Sequence, residues 1–260
     1  MSAHDTADNE NEQRVINEFL EELRDTASQL QVLLGNLRSH SVPEAEGLAM
    51  VKREASNMRS HAQGLNLPMI KLVTHRLDEY VGDLKTVGEA ELDEIQVFVD
   101  KIEKLADGEH VAEADAPTVI RSLPAKRTAD IDFGKIEKKN VEILLVLPEK
   151  AMSRIVEREL AACGYRTSTI RDGFAAIETV VRTRPDMVLA SMELGLLSGI
   201  DLGCALAAMS PTQQIPFALF TSYEWGSPKL RGMPPRAALI RKGPQFGDDL
   251  AETLARFEIT

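Results

Sequence analysis

Apolar residues in the first hundred positions recur at spacings of three and four, the signature of helices that each bury one face. The run Ile16, Leu20, Leu23, Ala27, Leu30, Leu34, Leu37 predicts one long amphipathic helix, and Leu48, Val51, Ala55, Met58, Ala62, Leu65 predicts a second. A third is predicted from Pro68, favoured at a first helical position because its missing N–H is not needed there, through Ile70, Val73, Leu77, Tyr80 and Leu84. A fourth carries Leu92, Ile95, Val99, Ile102 and Leu105. Ser41, Val42 and Pro43 separate the first pair, Asn66 is suited to a left-handed turn after the second helix, and Gly88 separates the last pair. Four helices with short connections predict an antiparallel four-helix bundle over residues 12–106, preceded by a disordered polar segment over 1–11.

The periodicity lapses over residues 107–140, where alanine, proline and mixed charges predict a linker. Val119, Ile120, Leu123, Ile131 and Phe133 give part of it the means to lie against one domain. Beyond Asn140 short apolar strands alternate with helical segments, in the order Glu142–Leu147, Met152–Ala162, Tyr165–Ile170, Phe174–Arg182, Met187–Ser191, Leu202–Met209, Phe217–Thr221, Ala237–Arg241 and Asp248–Phe257. Strands that alternate with helices pair in parallel and are covered on both faces. Residues 141–260 are therefore expected to form a flavodoxin-like, five-stranded parallel sheet of order 2-1-3-4-5.

Charge changes the picture of the partners. The net charge is -11, and residues 1–110 hold 11 Lys+Arg against 22 Asp+Glu, while residues 111–260 hold 19 of each. An acidic domain beside a neutral one disfavours nucleic acid, whose binding rests on Lys and Arg neutralising phosphates, and points to protein partners. No stretch reaches the ~18 consecutive apolar residues of a membrane span, so a cytoplasmic protein is expected. Cys163 and Cys204 sit in apolar surroundings without metal-ligand spacing and read as buried, reduced thiols rather than a disulfide or a metal site. The heptad-like first helix is compatible with a homodimer through the bundle.

The segment Ala55-Ser56-Asn57-Met58-Arg59-Ser60-His61-Ala62, with Leu67-Pro68 and then His75-Arg76-Leu77 after it, resembles the histidine phosphotransfer (Hpt) family. In that family the second bundle helix carries the phosphorylated histidine, then a lysine, a glycine and a serine. The resemblance places Ser56 at the phosphohistidine, Arg59 at the basic position, Ser60 at the glycine and His61 at the serine. Transfer needs an imidazole that titrates near neutral pH and forms a phosphoramidate that can be passed on; a serine hydroxyl does neither. Helix geometry puts Lys52, Ser56, Arg59, Ser60 and Gln63 on one stripe away from the apolar seam, a candidate docking face. His61, about 140° round the helix from Ser56, stands as an alternative phosphoacceptor. His75 reads as a half-buried packing residue.

In the C-terminal half, Ile143-Leu144-Leu145-Val146, Arg171-Asp172-Gly173, Pro185-Asp186-Met187-Val188-Leu189, Ser198-Gly199, Thr221 and Lys242 follow one another as the landmarks of response-regulator receiver domains do. That resemblance implies an acidic pair after the first strand that holds Mg²⁺, and an aspartate ending the third strand as nucleophile, because a small hard cation needs carboxylate oxygens. Here Leu147 and Pro148 stand at the acidic pair and Ser191 at the aspartate, with Glu149 and Glu193 flanking them. Thr221 and Lys242 match the family's switch threonine and its lysine. Gly226, Pro228, Gly232, Pro234 and Pro235 leave the fourth helix of that domain short or absent, so Tyr223, Trp225 and Leu230 belong either to an exposed recognition loop or to aromatic packing against the sheet.

These readings predict a non-catalytic adaptor or scaffold of a bacterial two-component or chemotaxis pathway, with no cofactor and no metal, whose partners are histidine kinases or receiver domains. An active phosphotransfer protein using His61, and a pseudo-receiver that binds a ligand or DNA directly, are the alternatives. The neutral charge and the lack of a basic recognition helix argue against DNA.

Overall fold

The computed structural model describes residues 3–126 and 139–259, which divide into two compact units, one ending at Pro124 and the other beginning at Ala125. In the first, α1 (Ala3–Arg38), α2 (Glu44–Ala62), α3 (Pro68–Gly82) and α4 (Glu89–Ala106) share one core, α1 and α3 each packing on both α2 and α4. The apolar stripes read from the sequence are the buried ones: Leu23, Ala27, Leu30 and Leu34 on α1, Val51, Ala55 and Met58 on α2, Val73, Leu77 and Tyr80 on α3, Ile95, Val99 and Ile102 on α4. Tyr80 is fully buried against Phe98, with 5.5 Å between ring centroids, and donates its hydroxyl to Glu94 at 2.5 Å, which satisfies the one polar atom the ring carries into the core.

The helix ends correct several expectations. α1 starts at Ala3, so the segment 1–11 expected to be disordered is helical from its third residue. The left-handed residue is His40, at φ 56, which closes α1; Asn66 is not among the residues with positive φ. The stretch expected as linker also begins too early. A single 3-10 turn (Glu113–Asp115) leads into α5 (Ala116–Ser122), and Ile120 and Leu123 are buried in the same core as α1–α4. Ile131 and Phe133 lie outside the described residues.

The second unit is built on β1 (Glu142–Val146), β2 (Arg166–Ile170), β3 (Met187–Ser191), a small antiparallel pair β4 (Glu193–Leu194) and β5 (Leu197–Ser198), then β6 (Phe217–Thr221) and β7 (Ala238–Arg241). The five long strands are parallel in the order β2-β1-β3-β6-β7, the flavodoxin-like arrangement. Successive side chains alternate between faces. Ile143, Leu145, Phe220 and Ile240 join α6 (Lys150–Ala162) and α9 (Phe246–Arg256), while Leu144, Val146, Leu219 and Leu239 join α7 (Gly173–Thr183) and α8 (Gly199–Ala208).

No fourth α-helix follows β6: the only regular element there among the described residues is a 3-10 turn at Pro228–Leu230, between Gly226 and Gly232, both at positive φ. Leu230 is buried in the sheet core, whereas Trp225 is exposed. Both cysteines are exposed rather than buried. Cys163 caps the end of α6, and Cys204 lies on the outer side of α8 with its thiol 3.3 Å from the Gly232 carbonyl oxygen. Among the described residues no helix is long and apolar enough to cross a membrane.

If α5 is part of the helical core, Ile120→Ala destabilises that unit by about 2–5 kcal/mol, the range for truncating a buried isoleucine. A urea unfolding curve indistinguishable from wild type would instead mark residues 107–124 as a tether.

Candidate functional site at the carboxyl ends of the strands

Parallel strands joined by helical crossovers bring all their carboxyl ends to one edge of the sheet, and ligand sites form in the crevice there. The residues after β1, at the end of β3, at the end of β6 and after β7 therefore converge. Pro148, Glu149, Ser191, Glu193, Thr221 and Lys242 line one cavity of about 370 Å³, which also takes in Gly195, Ser222 and Tyr223. The convergence depends on a close approach beneath it, because α8 starts so near β3 that a Cβ on Gly199 would run into the Ser191 carbonyl oxygen and Leu219. Ser198 caps α8 reciprocally with Asp201: its hydroxyl accepts from the Asp201 N–H at 3.1 Å, and Asp201 accepts from the Ser198 N–H at 2.8 Å. The Ser198 hydroxyl and N–H hold the Asp201 carboxyl below its ordinary value.

The polar groups of the cavity are hydroxyls, one ammonium and two exposed carboxylates. The Thr221 hydroxyl oxygen accepts from the Tyr223 N–H at 3.2 Å, which leaves its proton to point elsewhere. Lys242 is tied to β6 by its backbone N–H, 2.8 Å from the Thr221 carbonyl oxygen, and its ammonium lies 5.4 Å over the Phe220 ring. Leu147 does not line the cavity: it is buried in the core with Ile143 and Leu145. The Mg²⁺ that a receiver-type site implies does not fit these residues. β1 is followed by an apolar side chain and a proline, β3 ends in a hydroxyl, and Glu149 and Glu193 are exposed carboxylates on separate loops. Among the described residues no group of three or more His, Cys, Asp and Glu stands close enough to hold a metal.

The stripe on α2 is also where the sequence placed it, with Ser56, Ser60 and Gln63 exposed. Its two cations, however, turn onto the edge of the next helix. The Lys52 ammonium donates to the Leu84 carbonyl oxygen at 2.6 Å, and Arg59 pairs with Asp78 of α3 at 2.6 Å. Ser60 donates back to the Ser56 carbonyl oxygen at 2.8 Å. His61 is 54% exposed with Nδ1 3.3 Å from a Glu22 carboxylate oxygen of α1, and His75 is largely buried 3.5 Å from Glu79.

No protein-family profile matches the chain, and no curated protein matches it either. Solved structures that it resembles include the receiver domain of a sensor histidine kinase from Pseudomonas aeruginosa, described with magnesium in its active-site cleft, at 20% identity and a TM-score of 0.41; the match covers 45% of this chain and 98% of that one. A chemotaxis response regulator of Vibrio cholerae matches at 19% identity and a TM-score of 0.40, again over 45% of this chain and 98% of that one. The receiver domain of a histidine kinase from Syntrophus aciditrophicus matches at 20% and 0.41, over 45% and 90%. The strand order of the unit itself, rather than these likenesses, defines its fold.

Sequence reasoning missed two supports of the site. The β4–β5 hairpin, which brings Gly195 to the cavity wall, is signalled only by that glycine between leucines, at φ 79. The other is Arg241, which grips Asp249 of α9 with Nε and Nη2 at 2.8 and 2.7 Å, while its backbone N–H donates to the same carboxylate at 2.8 Å. This fork fixes the end of β7 immediately before Lys242. It holds the Asp249 carboxyl below its ordinary value, chiefly through the guanidinium hydrogen bonds, and raises Arg241 above its own. A carboxyl depressed on folding contributes stability that is present above the ordinary carboxylate range and is lost as pH falls through the folded value. Asp249→Asn therefore costs about 1–3 kcal/mol at neutral pH, a deficit that narrows below about pH 4. Urea unfolding at the two pH values measures it, and an equal deficit at both would assign the loss to packing.

Proposed function

We propose that the chain is a non-catalytic adaptor of a bacterial two-component or chemotaxis pathway, in which an Hpt-like four-helix bundle and a pseudo-receiver both lack their phosphoacceptors. The observation that carries it is the composition of the cavity: Ser191, Thr221 and Lys242 meet there, while Leu147 is in the core and Pro148 offers no ligand. An aspartate would attack phosphorus with an anionic oxygen and divide the charge of the incoming group with a metal. A serine at that point offers a neutral hydroxyl that no base among the described residues hydrogen-bonds, in a site without a magnesium ligand set. On the helical unit Ser56 has the same deficiency. Partners are then histidine kinases or receivers that dock without phosphate exchange, in the cytoplasm and without nucleic acid. A homodimer along α1 is consistent with the exposed Val15 and Val32.

Incubating the whole chain with Mg²⁺ and radiolabelled acetyl phosphate tests this: neither the wild type nor Ser191→Asp takes up label, since the variant restores the nucleophile but not the metal ligands. Stoichiometric label on the wild type would sink the adaptor reading.

A second reading, phosphotransfer through His61, is favoured by one feature. Glu22 faces Nδ1 of a half-exposed ring, the carboxylate arrangement that orients an imidazole and leaves Nε2 for chemistry. It predicts an acid-labile, base-stable label on the chain after mixing with a phosphorylated receiver, abolished in His61→Gln. If the label is absent from the wild type, or survives that substitution, His61 is a surface residue.

A further inference from the structure

Charge of both signs lines the cavity at the carboxyl ends of the strands, and none of it is paired. Glu149, Glu193 and Lys242 share that cavity, yet among the described residues none of the three side chains has an ion pair or a hydrogen bond. The order of the strands accounts for this. Glu149 follows β1 and Glu193 follows β3, whereas Lys242 follows β7. Three strand spacings, about 14 Å of backbone, therefore separate the end of β1 from the end of β7, and two, about 10 Å, separate β3 from β7. The cavity is acidic toward β1 and basic toward β7.

Hydroxyls that are free to donate stand between the two ends. Ser191, at the end of β3, is only 8% exposed, and among the described residues its hydroxyl makes no hydrogen bond. Thr221, at the end of β6 and 1% exposed, accepts the Tyr223 N–H and keeps its own proton for another acceptor. Because Thr221 is paired opposite Arg241, its hydroxyl belongs to the same end of the cavity as Lys242. A hydroxyl withdrawn from water and left without a partner is costly, and a ligand oxygen relieves that cost.

Two carboxylates against one ammonium disfavour a simple anion, which would meet net negative charge. A simple cation would leave Lys242 and the hydroxyls unanswered. A molecule with charge of both signs satisfies both ends at once. We infer that the cavity binds a free α-amino acid, its carboxylate toward Lys242, Thr221 and Ser191 and its ammonium toward Glu149 or Glu193. A cationic side chain supplies the second positive charge that two acidic residues call for, so arginine and lysine are the favoured ligands. The volume, about 370 Å³, lies in the range of small-molecule sites, about 300–1,000 Å³. This binding goes beyond the adaptor reading and shares with it only the premise that Ser191 is a neutral hydroxyl.

Calorimetric titration of the whole chain with arginine, lysine, leucine and glutamate tests the inference. Arginine and lysine are expected to bind at one site and to raise the thermal unfolding midpoint at about 5 mM ligand, as binding to the folded state alone requires. Leucine should bind more weakly and glutamate most weakly. Blocking either backbone charge of arginine, as its amide or its Nα-acetyl derivative, should cost about tenfold or more in affinity. These two arms also separate a free amino acid from a peptide terminus, which presents only one of the two charges. They need no variant, so they decide the matter even where a substitution perturbs the fold. Lys242→Gln should weaken arginine about tenfold and its amide little, the coupling that a direct pair produces. The double variant Glu149→Gln, Glu193→Gln should remove the preference for arginine over glutamate. The inference is overturned if none of the four amino acids binds at about 5 mM, if glutamate or a blocked arginine binds as well as arginine, or if Lys242→Gln leaves arginine unaffected. Acetate or inorganic phosphate binding as tightly as arginine would assign the cavity to a plain anion and overturn it too. Acetyl phosphate labelling is a separate readout, so failure of the adaptor reading and failure of amino-acid binding are told apart.

Discussion

Everything at the candidate site follows from the register of a parallel sheet. Because β1, β3, β6 and β7 run the same way and are joined by crossovers that return over one face or the other, their carboxyl ends share one edge whatever side chains they carry there. The close seating of α8 on β3 in turn requires glycine at position 199. Neither constraint involves a carboxylate. The fold can therefore form its crevice whatever side chains line it, here Pro148 and Ser191, with Leu147 behind them in the core.

The residues around the crevice differ in what they do for the protein. Leu147 is in the core beside Ile143 and Leu145, where it adds apolar burial. A carboxylate at that depth would lack a partner and raise the cost of folding. The Thr221 hydroxyl has a structural task, accepting the Tyr223 N–H at the start of the loop after β6. The Lys242 ammonium lies 5.4 Å over the Phe220 ring. The Arg241–Asp249 fork just before it holds the strand end without its help, so the geometry that presents its ammonium is maintained independently of any ligand.

Most of the architecture was legible because it rests on periodicity. The apolar stripes of α1 to α4 and the five apolar strands are direct readings of what must leave water, and the crowding of glycine and proline after Tyr223 announced the missing helix. What escaped the sequence depends on tertiary partners. Ile120 and Leu123 read as able to lie against one domain, and only a neighbouring core shows which domain that is. Cys163 and Cys204 have apolar neighbours in sequence, yet one caps the end of α6 and the other is on the outer side of α8, positions that a local window cannot distinguish from core. The chain enters the left-handed region at His40 after α1 and not at Asn66 after α2, which residue preference alone does not foretell. The Asp249 fork joins residues eight apart across a loop and leaves no pattern at all.

The two serines at the centre of the sequence reading consequently stand in different surroundings. Ser191 lies in a crevice that also takes in Glu149, Glu193 and Lys242, so charge of both signs surrounds its hydroxyl. Ser56 lies on an open helix face whose two nearby cations have already been absorbed, Lys52 by the end of α3 and Arg59 by Asp78. That face presents hydroxyls and an amide rather than charge, and an interaction there would rely on shape and neutral hydrogen bonds. Charged side chains line the crevice of the sheet unit, while the excess acidic charge of the chain lies in the helical one.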